Sequence, residues 1–262
     1  MDRELARALA FEEDLRERCA ERLVDFRFGR ALFNHTFALV WDLNHLRADR
    51  PEGADAEALA AEADRLHSAA GQAHRRVTVP DERAGGALAA GFRELGWSAD
   101  RFVYMAYRGP GEREAGAAPV EEVGADALVP LRRAVSRMQP WAGDEAVVET
   151  VLGGNRLVAE TGGARHFAVR VDGELVSSAD LYADGRTAQV EDVVTAPTYR
   201  GRGHASALVV HAVAEALAGG NDLVFLAADD EDWPKELYAR LGFEPIGHTW
   251  AFLKTPAPAG PA

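Results

Sequence analysis

The residues best placed by type and spacing to do chemistry fall in one run, TAQVEDVVTAPTYRGRGHASAL, residues 187–208. Its β-branched stretch ends at Pro197, which cannot donate to a strand ladder. A turn holding Gly201 and Gly203 follows. Ala205, Leu208, Val209, Ala212, Val213, Ala216 and Leu217 then recur with the period of an amphipathic helix, predicted over 203–218. The first turn of a helix leaves backbone N–H groups unpaired, and the helix dipole adds partial positive charge there. Glycine lets the backbone approach a ligand with no Cβ in the way. Arg200 and Arg202 bring fixed charge. Arg200, Gly201, Arg202, Gly203, His204 and Ala205 therefore make a candidate anion cradle suited to a pyrophosphate. The Gly-Lys-Ser/Thr of a Walker loop is absent, and a Rossmann turn fails at its third position, which is Ser206.

The elements that must position this run are legible around it. Helices are expected over 127–138 and 145–158. A strand follows at 166–171, then Asp172-Gly173, a return strand at 175–182, Asp184-Gly185, and a third strand at 187–195. Asp-Gly suits a type I′ turn, so two such turns in succession imply an antiparallel meander. After the long helix, 223–227 reads as a buried strand running parallel to the third strand after a right-handed crossover. A short helix over 233–241 and a last strand over 246–254 complete this half. Arg108 to Pro119 reads as a linker and 255–262 as a disordered tail. Ahead of the linker, HRRVTV, DERAGGALAAGFRELGW and SADRFVYMAYR repeat strand, helix, strand. A shift of 146 places Phe92 on Tyr238 and Gly96 on Gly242, which reads as a duplication at domain scale.

Composition narrows the function class. The chain has 262 residues, 29 Lys and Arg against 42 Asp and Glu, a net charge of −13 and 47% hydrophobic residues. That is a globular protein of one or two domains. Its acidity argues against nucleic acid and anionic membrane as partners and is compatible with a cationic small-molecule substrate. The single cysteine, Cys19, excludes an internal disulfide and reads as a helix-face residue. No metal site is expected, since His166, His211 and His248 lack ligand spacing. No stretch of 18 apolar residues and no signal-peptide core occur, so a cytoplasmic location is expected.

The run YRGRGHASAL resembles the pyrophosphate-binding signature of the GNAT superfamily of acyl-CoA N-acyltransferases, (Arg/Gln)-x-x-Gly-x-(Gly/Ala), which falls on Arg200, Gly203 and Ala205. VEDVVTAP is similar to that family's central strand and LYARLGF to its last helix and following strand, so the resemblance covers about residues 125–254. It implies an α+β fold of two GNAT-like halves, each a mixed, mostly antiparallel sheet flanked by helices, with a splayed central strand pair in the second half. It also implies a degenerate first half (1–108) and a catalytic second half (119–254).

By the same resemblance acetyl-CoA is the co-substrate. Its pyrophosphate would rest on Arg200 to Ala205 and its pantetheine arm on the backbone of Val193, Val194 and Thr195. A backbone N–H there would polarise the carbonyl. Tyr238, in LYARLGF, takes the place of the family's general acid for the leaving thiolate. The family's base, a Glu eleven residues before the loop's first Arg or Gln, falls on Gln189, which cannot accept a proton. Glu191 and Asp192 are the nearby carboxylates. Strict strand alternation would put Glu191 with Gln189 and Thr195 on a wetter face and Asp192 with Val190 and Val194 on the other, which favours Glu191. The expected activity is N-acetylation of a small-molecule amine bound beside Glu191 or between the halves. The runner-up is an acyl-CoA-binding accessory protein of the same fold. The helix near 54–70 is reached through RADRPEGAD, which lacks the cradle, so one CoA site per chain is expected. An oligomer is compatible with the sequence.

Overall fold

The structure is a computed structural model that describes residues 2–111, 119–139 and 142–255. Most of the expected linker and nearly all of the expected tail lie outside the described residues. The first half runs α1 (Arg3–Cys19), β1 (Arg22–Phe26), β2 (Gly29–Phe33), a 3-10 turn over Trp41–Leu43, β3 (His45–Arg47), α2 (Ala56–Ala69), β4 (Arg75–Val79), α3 (Glu82–Glu94) and β5 (Ser98–Tyr107). The second runs β6 (Val120–Val123), α4 (Ala125–Ser136), α5 (Glu145–Gly162), β7 (Arg165–Val171), β8 (Glu174–Ala183), β9 (Thr187–Thr195), a 3-10 turn over Pro197–Tyr199, α6 (His204–Ala218), β10 (Leu223–Asp229), α7 (Pro234–Arg240) and β11 (Phe243–Lys254). Both halves thus repeat strand, helix, parallel strand, helix, strand. Among the described residues no helix is long and apolar enough to cross a membrane.

All eleven strands join one sheet in the order β1-β2-β3-β4-β11-β5-β10-β9-β8-β7-β6. Only β3–β4 and β9–β10 pair in parallel, so the expected mixed, mostly antiparallel α+β fold is observed. The halves exchange their last strands. β5 of the first half lies between β10 and β11, and β11 of the second lies between β4 and β5. Side-chain chemistry follows this exchange. Val103 and Met105 of β5 enter the core that α6 forms with Phe167, Leu181 and Val190. Phe252 of β11 enters the first half's core and stacks on Phe92 at 4.0 Å. The opposite face of the junction, Tyr104, Ala106 and Phe225, is covered by Leu5 and Ala8 of α1. Each core therefore depends on a strand from the other half for part of its apolar burial.

The two expected hairpin turns differ. Asp172 and Gly173 both take left-handed backbone, φ 51° and 87°, as type I′ requires. At the second turn only Gly185 does, at 86°. There the Asp184 carboxylate accepts the N–H groups of Arg186 and Thr187, at 2.8 and 2.7 Å, and this local bonding selects another turn geometry.

Candidate active site

The site is built where the sheet opens. β9 and β10 pair over only three positions, ending at Gln189 and Phe225, while both strands continue beyond that point. The backbone edge of β9 past Gln189 therefore faces a gap instead of a partner strand among the described residues. Val193, Val194 and Thr195 lie along that edge, half-buried.

A bulge shapes the edge. Asp180 stands opposite Glu191 and Ser178 opposite Val194, so Asp192 and Val193 together face one residue of β8, Ala179. Asp192 adopts a left-handed backbone, φ 50°, to absorb the extra residue. Strict alternation is thereby corrected. Val193 packs against the α6 core, and Val194 shares the Glu191 face. Asp192 sits near Asp180 and Arg132. Asp180 is fully buried and accepts from Arg132 Nη2 at 2.5 Å, with His166 Nδ1 at 2.7 Å from the same oxygen.

Burial, with Asp192 and Glu12 adding, pushes the Glu191 carboxyl well above the usual carboxylate range. Burial and Asp180 push Asp192 up to about 6. Because Asp192 holds its proton more tightly folded than unfolded, stability falls as pH rises from about 4 to about 6, and the deficit is complete above that window. Asp192→Asn removes the charge and still tolerates left-handed backbone. Thermal melting is expected to show it more stable than the parent by about 1 kcal/mol at pH 8, after discounting for partial exposure, and by less at pH 5. Equal gains at both pH values would contradict this.

Glu191 also borders a cleft of about 500 Å³ between the halves. Its acids are Glu12, Glu13, Asp42, Asp49, Glu191 and Asp229, and its cations are Arg16, Arg47 and Arg76. Arg47 pairs with Glu13 and Asp49, and Arg76 with Asp42 at 2.6 Å. Burial pushes His45 down to about 3, so it is neutral. The cleft is therefore acidic on balance and suits a cationic amine. Tyr238 of α7 is buried in the second half's core, and burial, with the charge of Glu191, pushes its phenol up to about 12. It carries its proton at neutral pH. Cys19 is buried, which raises its thiol as expected of a helix-face residue.

The cradle residues fall together at the start of α6. Gly201 and Gly203 take φ 71° and 76°, and a Cβ on Gly201 would point into open space. Gly203 caps α6 with no side-chain bond, and the first helical bond runs from Ala207 N–H to Gly203 O at 3.0 Å. The N–H groups of His204 and Ala205 lie ahead of it. Arg200 Nε donates to Thr195 O at 3.2 Å, and Arg202 donates to Thr198 O at 3.0 Å. His204 is buried, neither ring nitrogen has a hydrogen-bond partner among the described residues, and burial with Arg202 lowers its pKa. Left-handed glycines, a helix N-terminus and an imidazole without a partner among the described residues fit an anionic phosphate group.

At the equivalent place in the first half, the N-terminus of α2 is occupied. The Asp55 carboxylate accepts Ala58 N–H at 2.7 Å and leaves no room in charge or geometry for phosphate. Calorimetric titration is expected to give one CoA per chain; two would show that α2 opens.

Glu12 was not anticipated from sequence. It lies on α1, 4% exposed, in the buried stripe Leu5, Ala8, Glu12, Leu15, Cys19. A carboxylate at an apolar-stripe position was the available signal. Gln189, read only as a departure from a motif, donates from Nε2 to both Glu12 Oε1 and Glu191 Oε2, each at 2.6 Å.

Residues 134–243 match the model of the acetyltransferase (GNAT) family. A mycothiol acetyltransferase of Nocardia farcinica is 37% identical over 99 residues, 37% of this chain and 32% of that protein, so the match spans about a third of the relative's length. A GCN5-related N-acetyltransferase from Kribbella flavida shares the fold at TM-score 0.65 and 22% identity, covering 99% of this chain and 97% of that one. A tandem GNAT protein from the clavulanic acid biosynthesis pathway does so at TM-score 0.53 and 18% identity, covering 78% and 70%. With the splayed strands and the glycine loop at the head of α6, these likenesses identify the chain as a protein of the GNAT fold in which residues 134–243 match the acetyltransferase (GNAT) family.

Proposed function

We propose that the protein is an acetyl-CoA-dependent N-acetyltransferase whose acceptor is a small amine bound in the cleft between the halves. The observation that carries this is the position of Glu191, at the opening of β9 and β10 and on the wall of an acidic cleft. Acetyl-CoA supplies an acyl group activated as a thioester. Arg200 to Ala205 hold its pyrophosphate, and the free β9 edge at Val193, Val194 and Thr195 takes its pantetheine arm. A backbone N–H on that edge stabilises the negative charge developing on the acyl oxygen. Glu191 takes the proton that the acceptor amine gives up, and its raised proton affinity suits it to an ammonium donor. Tyr238 gives its proton to the sulfur as the carbon–sulfur bond breaks and the amide bond forms.

The test is a panel of amines with acetyl-CoA, followed by free-thiol release and mass spectrometry of the acceptor. Amines of the mycothiol pathway belong on it, given the relative's name. Acetylation at nitrogen supports the reading; acetyl transfer to oxygen or sulfur only would overturn it. Gln189, at the place where the family's base is expected, favours a second reading, an acyl-CoA-binding accessory protein. CoA binding with no thiol release on any acceptor would select that one.

A further inference from the structure

We infer that Glu12, a residue of α1 outside the matched family segment, is a positioning residue that fixes the orientation and charge state of Glu191 through the side-chain amide of Gln189. The inference rests on the proposed role of Glu191 as the base.

The geometry is a chain of donors and acceptors. Tyr104 Oη donates to Glu12 Oε2 at 2.7 Å, and Arg16 Nη1 lies 3.4 Å from the same oxygen. Gln189 Nε2 donates to Glu12 Oε1 and to Glu191 Oε2, both at 2.6 Å. An amide nitrogen has two hydrogens, and each is used. A group lodged between two carboxylates must present NH₂ and not C=O, so Glu12 decides which way the amide faces. Glu191 is then held by one oxygen, which fixes its rotamer beside the cleft.

The position is costly for anything but such a task. Glu12 occupies the apolar stripe of α1, where a leucine or methionine would bury without desolvating a charge. The donors around it satisfy the carboxylate, and the bonded path from it ends at Glu191. The other titratable or charged groups near Glu191 are Asp192 on its own strand, Asp180 opposite and Tyr182 on β8, Arg16 on α1, Asp42 in the 3-10 turn, Tyr104 on β5 and Tyr238 on α7. Among these, Glu12 is the carboxylate that shares a hydrogen-bond donor with Glu191.

Two substitutions act on this bridge in opposite senses. Glu12→Gln keeps the shape and removes a negative charge that is joined to Glu191 through the one Gln189 amide nitrogen, so the Glu191 carboxyl should titrate lower by about one pH unit. Gln189→Met keeps the volume and removes the donor, so Glu191 should titrate higher. The readout is ¹³C NMR of the side-chain carboxyls across pH, with the Glu191 signal assigned by its loss in Glu191→Gln. It needs no acceptor and no turnover, so it reports on the bridge even if the amine panel fails. Opposite shifts in the two variants support the inference. An unchanged midpoint in either, or shifts in the same direction, overturns it. Should one variant lose its cooperative melt, the sign of the shift in the other decides. In steady-state assays the acid limb of kcat should move with the NMR midpoint while KM for acetyl-CoA stays put; a purely structural role would lower kcat and melting temperature without moving the limb.

Discussion

Gly203→Asp is expected to weaken CoA binding by about a hundred- to a thousandfold, the scale of losing a few charge-assisted hydrogen bonds to phosphate. Gly203 sits at φ 76°, where a non-glycine residue costs about 1 kcal/mol, so some strain is added. The larger effect is electrostatic. The new carboxylate would lie at the head of α6 and repel a phosphate there, in the place that the Asp55 carboxylate takes at the head of α2. The substitution would put at the second half's anion site the kind of negative charge that the first half carries at Asp55. Gly203→Ala separates the two contributions: it adds the strain without the charge and should cost no more than about tenfold. Calorimetry decides, with melting temperature as the check on folding. Unchanged CoA affinity in the aspartate variant would remove the pyrophosphate from Arg200–Ala205.

Tyr238→Phe should lower turnover by about ten- to a thousandfold and leave acetyl-CoA binding nearly intact, the range expected when one general acid is lost. The phenol holds its proton because burial and Glu191 push it up to about 12. The ring is kept in the substitution, and with it the packing between α7 and Phe243. Phe92, the matching residue in the first half, is fully buried in the same helix–glycine–strand join without a hydroxyl. Loss of stability should therefore be small, and a slow variant with a normal melt would locate the defect in proton delivery. Turnover equal to the parent would return Tyr238 to a packing role.

Much of the second half could be read from residue order because its signals are local. The glycine turn, the helix period from Ala205 to Leu217 and the Asp-Gly turn at Asp172 each act within a few residues. The parallel strand after α6 followed from its apolar run, and the opening of β9 and β10 followed from the family resemblance. The bulge at Asp192 escaped, since strict alternation is the default for an uninterrupted β-branched run and no glycine or proline marks the extra residue. The exchange of β5 and β11 escaped as well. Either strand has the same pattern of apolar residues whichever half it pairs with, and register across a whole chain leaves no local trace. Glu12 left one faint sign, a charge in an apolar stripe, but its partner Gln189 is far away in sequence.

The strand exchange also sets the order in which this chain can fold during synthesis. β4 and β5 leave the ribosome early, yet the strand between them is β11, the last strand in chain order among the described residues. Until β11 has emerged, the nascent first half carries two unfilled strand edges and a core that lacks Phe252. It cannot finish folding before β11 is available and must be kept from pairing with neighbours in the meantime. A second nascent copy offers the same β11, so the natural misassembly is a swapped dimer in which each chain closes the other's gap.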